Sequence, residues 1–199
     1  MTGLPLDTAS GVRLDLDDPR PDDITLSDVA AALSKTCRFG AQARSFYSVA
    51  QHAVLVADLV EDAGHPELAL AALHHDSHEA YACDLPTPLK RRIDAASGGY
   101  CSRLCDALDA AIHEAFGISG FRDDPLAAEV IKAADEQALL IESQDLLHDG
   151  GRGLRADRDI PESLVDSLPA MRGLLDPSQA EQQFVSAHER LVGLHAAAD

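Results

Sequence analysis

The chain has 199 residues, enough for one sizeable domain with its own core, and it carries a formal net charge of −18 at pH 7. That charge argues against a nucleic-acid polymer as a partner, and an anionic small molecule would need local cations or a metal ion to bind. There is neither a run of ~20 apolar residues nor a basic region leading into an apolar core, so we expect a cytoplasmic protein that does not enter the membrane.

Hydrophobic periodicity predicts helices, and no strands, along most of the chain. The first helix is predicted over about 26–35, where Thr25 and Asp28 have the spacing of a capping box. The segment that follows is interrupted by a glycine and is predicted to be a loop. A second helix, over about 45–61, has an apolar stripe that includes His52.

A third helix is predicted from Pro66 to about Cys83, because the prolines beyond it prevent its continuation, and a short basic turn follows. Two more helices are predicted over about 100–116 and 125–147. A Gly-rich, charged loop then leads to a last helix that begins at Ser178, which has capping-box spacing with Glu181. The hydrophobic character of this last helix suggests an interface for oligomers.

The stretch from His74 to Arg91 (HHDSHEAYACDLPTPLKR) concentrates titratable side chains in the predicted third helix. A buried helix rarely carries so many such groups unless they bind something. His75 and Glu79 are four residues apart and share a face, and Asp76 lies about 100° around the axis from His75. An imidazole nitrogen beside a carboxylate oxygen suits Mn, Fe, Co, Ni or Zn better than Ca.

Two further polar residues fall on predicted apolar faces: His52 on the second helix and Asp135 on the fifth. Taken singly, each has an ordinary explanation, a hydrogen-bonded core histidine for His52 and an ion pair with Lys132 for Asp135. A carboxylate on an apolar face is costly unless it is paired or bound to metal. Together with the third helix, these residues favour a metal site inside a helical bundle.

The order of His52, His75-Asp76 and Asp135 resembles the metal-binding signature of the HD superfamily of phosphohydrolases. Three blocks, CRFGAQARSFYSVAQH, HDSHEAYACDLPTPLKR and IKAADEQALLIES, extend the resemblance to its small nucleotidase branch. That branch includes bacterial 5′-deoxynucleotidases and phage-type deoxynucleoside triphosphohydrolases. The implied fold is all-α, an HD-domain helical bundle with a metal site in its core. It would consist of an N-terminal extension (1–24), the HD core (25–147), and a loop with a C-terminal helix packed on that core (148–199).

The resemblance implies one bound divalent metal ion (Co, Mn, Zn, Fe or Ni, with Mg as an alternative). Its ligands would be His52, His75, Asp76 and Asp135. Glu79 and Asp84 would be catalytic residues. Glu79 would orient a water molecule or shuttle its proton, and Asp84 would hold water or sugar.

Five residues are implied in substrate binding. Arg38 and Phe39 match an Arg-aromatic pair that touches sugar and base in the family, although Trp often stands where this chain has Phe39. Lys90, Arg91 and Lys132 are candidates for binding phosphates, and a solvated turn is the alternative for the first two. Among the other histidines, we predict that His74 is structural, that His78 supports the site and that His188 belongs to the core.

The implied function is a metal-dependent phosphohydrolase that cleaves (deoxy)nucleotides at the 5′ phosphoester. The first expectation is a dNTP (dATP-like) triphosphohydrolase that releases nucleoside and triphosphate, because the FYSVAQH and TPLKR segments resemble the phage-type enzymes more closely. The alternatives are a 5′-deoxynucleotidase acting on dNMPs, and a non-catalytic module that binds nucleotide or metal. The expected partners are a small-molecule nucleotide and further copies of the chain in a homo-oligomer.

Overall fold

The computed structural model describes residues 5–121, 124–158, 160–165 and 168–198, and it confirms the predicted all-α class. The described residues form one short antiparallel hairpin and ten α-helices: β1 (Leu6–Asp7), β2 (Arg13–Leu14), α1 (Leu26–Leu33), α2 (Val49–Asp62), α3 (Ala69–Leu73), α4 (Glu79–Ala82), α5 (Thr87–Ser97), α6 (Tyr100–Ala115), α7 (Pro125–Leu146), α8 (Arg152–Ala156), α9 (Glu162–Val165) and α10 (Pro177–Ala198). None of these helices is long and apolar enough to cross a membrane.

Helix α2 is at the centre of the bundle and packs against α3, α7 and α10. Its Val56 and Val60 are fully buried, and α10 adds Phe184 and Leu191 to the same core. Each such side chain contributes roughly 1.5–3 kcal/mol through burial. Because α2 lies between α3 and α7, side chains on its inner face can meet residues from both neighbours.

The N-terminal hairpin is tied to α1 through Asp28, which is only 3% exposed. Thr25 is the predicted N-cap, since its hydroxyl accepts the Asp28 backbone N–H at 3.1 Å. The Asp28 carboxylate accepts hydrogen bonds from the hydroxyls of Thr25, Thr8 and Ser10 and from the Ser10 backbone N–H. Burial raises the pKa of Asp28, but these donors outweigh it and hold that pKa below its usual value.

The prediction of one continuous third helix from Pro66 to about Cys83 was wrong. A 3₁₀ turn over Pro66–Leu68 leads into α3, residues 74–78 form a non-helical turn, and α4 follows. Side chains in the turn bond locally: His74 Nδ1 lies 2.8 Å from Ser77 Oγ, and His75 Nδ1 donates to the Ala72 carbonyl. Such bonds compete with the regular helical ladder. The 74–78 turn therefore carries His75 and Asp76.

Three helices were not predicted: α5 where a basic turn was expected, α8 in the Gly-rich loop and α9 just after that loop. Pro88 cannot continue the preceding helix, but it fits the first turn of the next helix, α5. The start of α10 differs too, because its capping box is formed by Asp176 and Gln179, not by Ser178 and Glu181. Helices α6 and α7 lie close to their predicted bounds.

Candidate metal centre

The four side chains predicted to bind metal meet between α2, α7 and the 74–78 turn. His52 Nε2 lies 3.3 Å from His75 Nε2 and 3.2 Å from Asp135 Oδ1. His75 Nε2 lies 3.2 Å from Asp76 Oδ2 and 3.8 Å from Asp135 Oδ1, and His52 Nε2 lies 3.8 Å from Asp76 Oδ2. The fold thus brings together donor atoms from three separate parts of the chain.

The other ring nitrogen of each histidine, Nδ1, forms a hydrogen bond to an acceptor outside the cluster. His52 Nδ1 lies 2.7 Å from Glu142 Oε1, and His75 Nδ1 lies 2.8 Å from the Ala72 carbonyl oxygen. A carbonyl or ionised carboxylate only accepts, so both Nδ1 atoms carry the proton and both Nε2 atoms present a lone pair when the rings are neutral. Two facing lone pairs beside two carboxylate oxygens require a proton or a cation between them.

This donor set fits a divalent ion. Ligand atoms about 2.0–2.2 Å from one ion stand about 3–4 Å apart, and five of the six separations among these four atoms are 3.2–3.8 Å. Two neutral imidazoles and two carboxylates also match the charge and the ligand preference of a divalent transition metal. The structure therefore contains a His/Asp cluster, His52, His75 and Asp76, that could hold a metal ion, and Asp135 lies within 3.8 Å of both histidines.

The carboxylates of the centre are kept ionised by their neighbours. Burial raises the pKa of Asp76, but the imidazoles of His75 and His52 and the guanidinium of Arg38 outweigh it and hold that pKa well below its usual range. Burial is likewise outweighed at Asp135, where the imidazoles of His52 and His75, when they carry a second proton, hold the pKa of the carboxyl low. Both side chains are available as anionic oxygen ligands at neutral pH.

Glu142, which was not predicted from the sequence, lies beneath the centre on α7 and is fully buried. Its Oε1 accepts from His52 Nδ1, its Oε2 accepts from Arg38 Nε at 3.1 Å, and the Tyr47 hydroxyl donates to the same carboxylate. Glu142 follows Asp135 by seven residues, so the two share one helix face. That spacing within an apolar run was the signal that could have found it.

Arg38 lies at the edge of the centre, and its guanidinium group contacts two carboxylates there. It is 9% exposed, its Nε is bonded to Glu142, and its Nη1 lies 3.8 Å from Asp76 Oδ2. The guanidinium carbon is also 5.5 Å from the centre of the Phe39 ring, within cation–π range. The Arg-aromatic pair is therefore beside the cluster, and its contacts to sugar and base stay a prediction.

A left-handed turn over 39–41 carries this pair, with φ angles of 57° to 61°. Asp84 accepts the backbone N–H groups of Gly40 and Phe39, while burial raises the pKa of the Asp84 carboxyl. A Cβ atom on Gly40 would lie 2.7 Å from Pro86 Cγ, so this close approach requires glycine. Asp84 thus anchors the loop that holds Arg38, and its predicted role with water or sugar stays a prediction.

Glu79 keeps one carboxylate oxygen unused. Among the described residues, its Oε2 is buried without a hydrogen-bond partner. One ligand atom of Glu79 lies within 4.8 Å of such atoms on Asp76 and His78. Burial, reinforced by the charges of Asp76 and Asp84, raises the pKa of Glu79 to about 8. A carboxyl group in this state can give or take a proton near neutral pH.

His78 supports the site from its far side. Its Nδ1 lies 2.9 Å from Asp109 Oδ1. Burial lowers the pKa of His78, but the hydrogen bonds to Asp109 and Cys105 outweigh it and raise that pKa to about 10. The predicted structural role of His74 agrees with its full burial. His188 is only partly buried, and its Nδ1 lies 2.8 Å from His74 Nε2, so it is a polar partner and not a plain core residue.

The three lysine and arginine candidates for phosphate binding differ in their placement. Lys90 is partly buried, and its ammonium group interacts with the Cys105 thiol and with the charge of Asp76. Arg91 is exposed on α5. Lys132 is also exposed and lies 4.0 Å from Glu136, so it does not form the alternative ion pair with Asp135.

A cavity of about 310 Å³ opens beside the centre. It is lined by His75, Asp135 and Lys132 and by the apolar side chains of Ile118, Phe121 and Ile131. This volume is at the lower end of the range for small-molecule pockets, about 300–1,000 Å³. A small organic group could therefore lie in contact with the metal ligands.

No model of a known protein family matches the chain. The chain is 40% identical over 144 residues to the uncharacterized protein YfdR of Escherichia coli (strain K12), which covers 72% of this chain and 73% of YfdR. It is 35% identical over 191 residues to the uncharacterized protein RCAP_rcc00048 of Rhodobacter capsulatus, covering 92% and 93% of the two chains. At these identities and coverages, the chain belongs to one protein family with YfdR and RCAP_rcc00048.

Proposed function

We propose that this chain is an HD-type, metal-dependent phosphohydrolase that cleaves (deoxy)nucleotides at the 5′ phosphoester. The observation that carries the proposal is the convergence of four ligand atoms beside Glu79, whose buried Oε2 has no partner among the described residues. A metal ion that served stability alone would not need such a carboxyl group next to it. A hydrolytic site needs one to handle the proton of the attacking water.

The ion would be held by His52, His75, Asp76 and Asp135. When bound, it would supply Lewis acidity toward a phosphoryl oxygen and lower the pKa of the attacking water. The mixed nitrogen and oxygen donors support Co, Mn, Zn, Fe or Ni as the native ion, with Mg as an alternative.

The remaining steps use the chain's own side chains. Arg38 places a positive charge 3.8 Å from Asp76 Oδ2, and this charge would attract the phosphate of the substrate. Water adds to phosphorus, the bond from phosphorus to O5′ breaks, and the nucleoside leaves with a proton on O5′. Glu79 holds the proton that is transferred, and its burial excludes bulk water from that exchange.

We infer that the substrate is a dNTP, so that the second product is triphosphate. The sequence resemblance of the FYSVAQH and TPLKR segments supports this choice, as does Lys90, whose ammonium group interacts with the charge of Asp76. The second candidate is a 5′-deoxynucleotidase acting on dNMPs. It is favoured by the exposure of Arg91 on α5, since a monophosphate needs fewer cations.

The test is a chromatographic assay of metal-stripped protein, reloaded separately with Mn, Co, Mg and Zn, against dNMPs, dNTPs and their ribose counterparts. Nucleoside and triphosphate from a dNTP are expected. Nucleoside and phosphate from dNMPs alone would select the second candidate. Metal-loaded protein that cleaves none of these substrates would overturn the proposal and favour a binding module.

The family resemblance also supports a homo-oligomer. The apolar stripe of α10 is not free to form its interface, because Phe184 and Leu191 are buried in the chain's own core. Only Val192 and Leu194, among the large apolar side chains described on α10, are exposed. Light scattering coupled to size-exclusion chromatography would measure the number of copies.

A further inference from the structure

Glu142 is a fully buried carboxylate that touches neither the cavity nor the expected position of a substrate. Burying such a charge is costly unless it is paired and hydrogen-bonded. Each of its two oxygens has a different partner, His52 at 2.7 Å and Arg38 at 3.1 Å. Its placement therefore affects two residues of the centre at once.

The contact to His52 fixes the orientation of the ring. Because Oε1 accepts from Nδ1, the proton of the neutral imidazole is on Nδ1, and the lone pair of Nε2 points toward His75 and Asp135. Carboxylates behind metal-binding histidines commonly act this way, and they increase the basicity of the ligand.

The contact to Arg38 fixes the position of the positively charged guanidinium group. Oε2 holds Nε, the backbone N–H of Arg38 donates to the Tyr47 carbonyl at 2.9 Å, and Nη1 is left 3.8 Å from Asp76 Oδ2. The charges of Arg38 and Glu142 offset each other, which allows both side chains to be buried.

We infer that Glu142 positions both the ligand His52 and the cation Arg38, so that metal affinity and the placement of positive charge beside Asp76 depend on one buried carboxylate. Glu142 is a positioning residue, since it acts through these two side chains. The inference rests on the metal centre of the proposed function, but it does not require that the substrate be a nucleotide.

The test compares Glu142→Gln with a matched control, Glu129→Gln, which changes an exposed residue on the same helix. The probe is Co²⁺, titrated into metal-stripped protein in competition with a chelator, with its visible d–d spectrum recorded at saturation. Loss of a carboxylate behind a ligand histidine weakens metal binding about 10–100-fold, which is the effect expected for Glu142→Gln, along with an altered spectrum. The control should bind Co²⁺ like the unchanged protein.

A purely structural role for Glu142 would lower the Tm of the metal-free protein and leave the Co²⁺ affinity and spectrum unchanged, and that result would overturn the inference. Failure of the unchanged protein to bind Co²⁺ would overturn the inference and the metal centre together. Weaker binding in Glu142→Gln, with no phosphoester cleaved by the unchanged protein, would sustain the inference while the proposed function failed.

If Glu142→Gln does not fold, nitrogen NMR of the Zn²⁺-loaded, unchanged protein gives an independent readout. We expect a proton on His52 Nδ1 that exchanges slowly with solvent, because Glu142 accepts it in a buried position. A His52 Nδ1 that lacks a proton, or whose proton exchanges rapidly, would overturn the inference.

Discussion

The chemistry of each residue at this centre depends on which of its atoms is left free by its neighbours. His52 and His75 each use Nδ1 in a bond to an acceptor, which leaves Nε2 for a cation. Glu79 leaves Oε2 unpartnered among the described residues, which makes that oxygen available to water or substrate. The residue types alone indicate which side chains could bind metal or transfer a proton. The hydrogen-bond partners determine which atom of each side chain is available to do so.

Replacing Glu79 with glutamine should abolish most turnover and leave metal binding in place. An amide of nearly the same size cannot give or take the proton, so we expect kcat to fall about 10²–10⁴-fold. The measurement is the rate of nucleoside release together with the Co²⁺ affinity. Glu129→Gln, which alters an exposed carboxylate on α7, serves as the control. A Glu79→Gln protein that retains its turnover would remove Glu79 from the mechanism.

Replacing Gly40 with alanine should displace the loop that carries Arg38. The new Cβ would lie 2.7 Å from Pro86 Cγ at a φ of +57°, and the left-handed conformation alone costs about 1–2 kcal/mol. Gly98→Ala is a matched control, because Gly98 has a φ of +66° and a Cβ atom there would meet no described atom within 4 Å. Thermal melts should show a larger loss of Tm for Gly40→Ala. Equal losses would mean that the contact with Pro86 has no effect on stability.

At the scale of elements, periodicity predicts the long helices well and the short ones poorly. Helices α6 and α7 bury one face over many turns, so their apolar pattern is sufficient. The 74–78 turn could not be predicted, because it depends on local bonds such as His74 to Ser77 that compete with a favourable helical pattern. Helix α5 has no buried residue, so no apolar stripe indicates it.

The hydrogen bonds of Asp28 between the hairpin and α1 predict that the stability of the protein depends on pH. The folded-state pKa of Asp28 lies below the unfolded value of about 3.9, so the carboxylate stabilises the fold above that value. Asp28→Asn should lower the free energy of unfolding by about 1–3 kcal/mol at pH 7. Below about pH 4 the difference should shrink as the wild-type carboxylate takes up its proton.

Urea unfolding of both proteins at pH 7, 4 and 3 measures this difference. Asp22→Asn, at an exposed acid close in sequence, should change the free energy of unfolding by less than about 0.5 kcal/mol. An Asp28→Asn penalty that is the same at pH 3 as at pH 7 would show that its hydrogen bonds do not depend on the charge.

At the scale of the whole molecule, the centre combines contributions that are far apart in sequence. The four ligand candidates could be predicted because each is polar on an apolar face or belongs to a recognisable motif. Glu142 lies seven residues after Asp135 in the same sequence block, but its role depends on the crossing of α7 with α2, which brings it to His52. The conformation of the 39–41 turn likewise depends on Asp84 and Pro86, which are distant from it in sequence.

The net charge of −18 makes the local cations important for any phosphate substrate. Arg38 offsets part of that field at the edge of the centre, and Lys90 adds a positive charge that interacts with Asp76. A bound divalent ion would offset the two carboxylates Asp76 and Asp135. The metal and these cations would together make an acidic protein able to bind an anion.

The central claim is that one metal ion at this centre makes the chain a phosphohydrolase. The most direct measurement is a titration of Mn²⁺ into metal-stripped protein, with bound metal and nucleoside release from dNTPs and dNMPs recorded at each step. We predict that release rises with bound metal and reaches its plateau at about one equivalent per chain, as for a single-ion site. One bound equivalent without release from any of these substrates would contradict that claim.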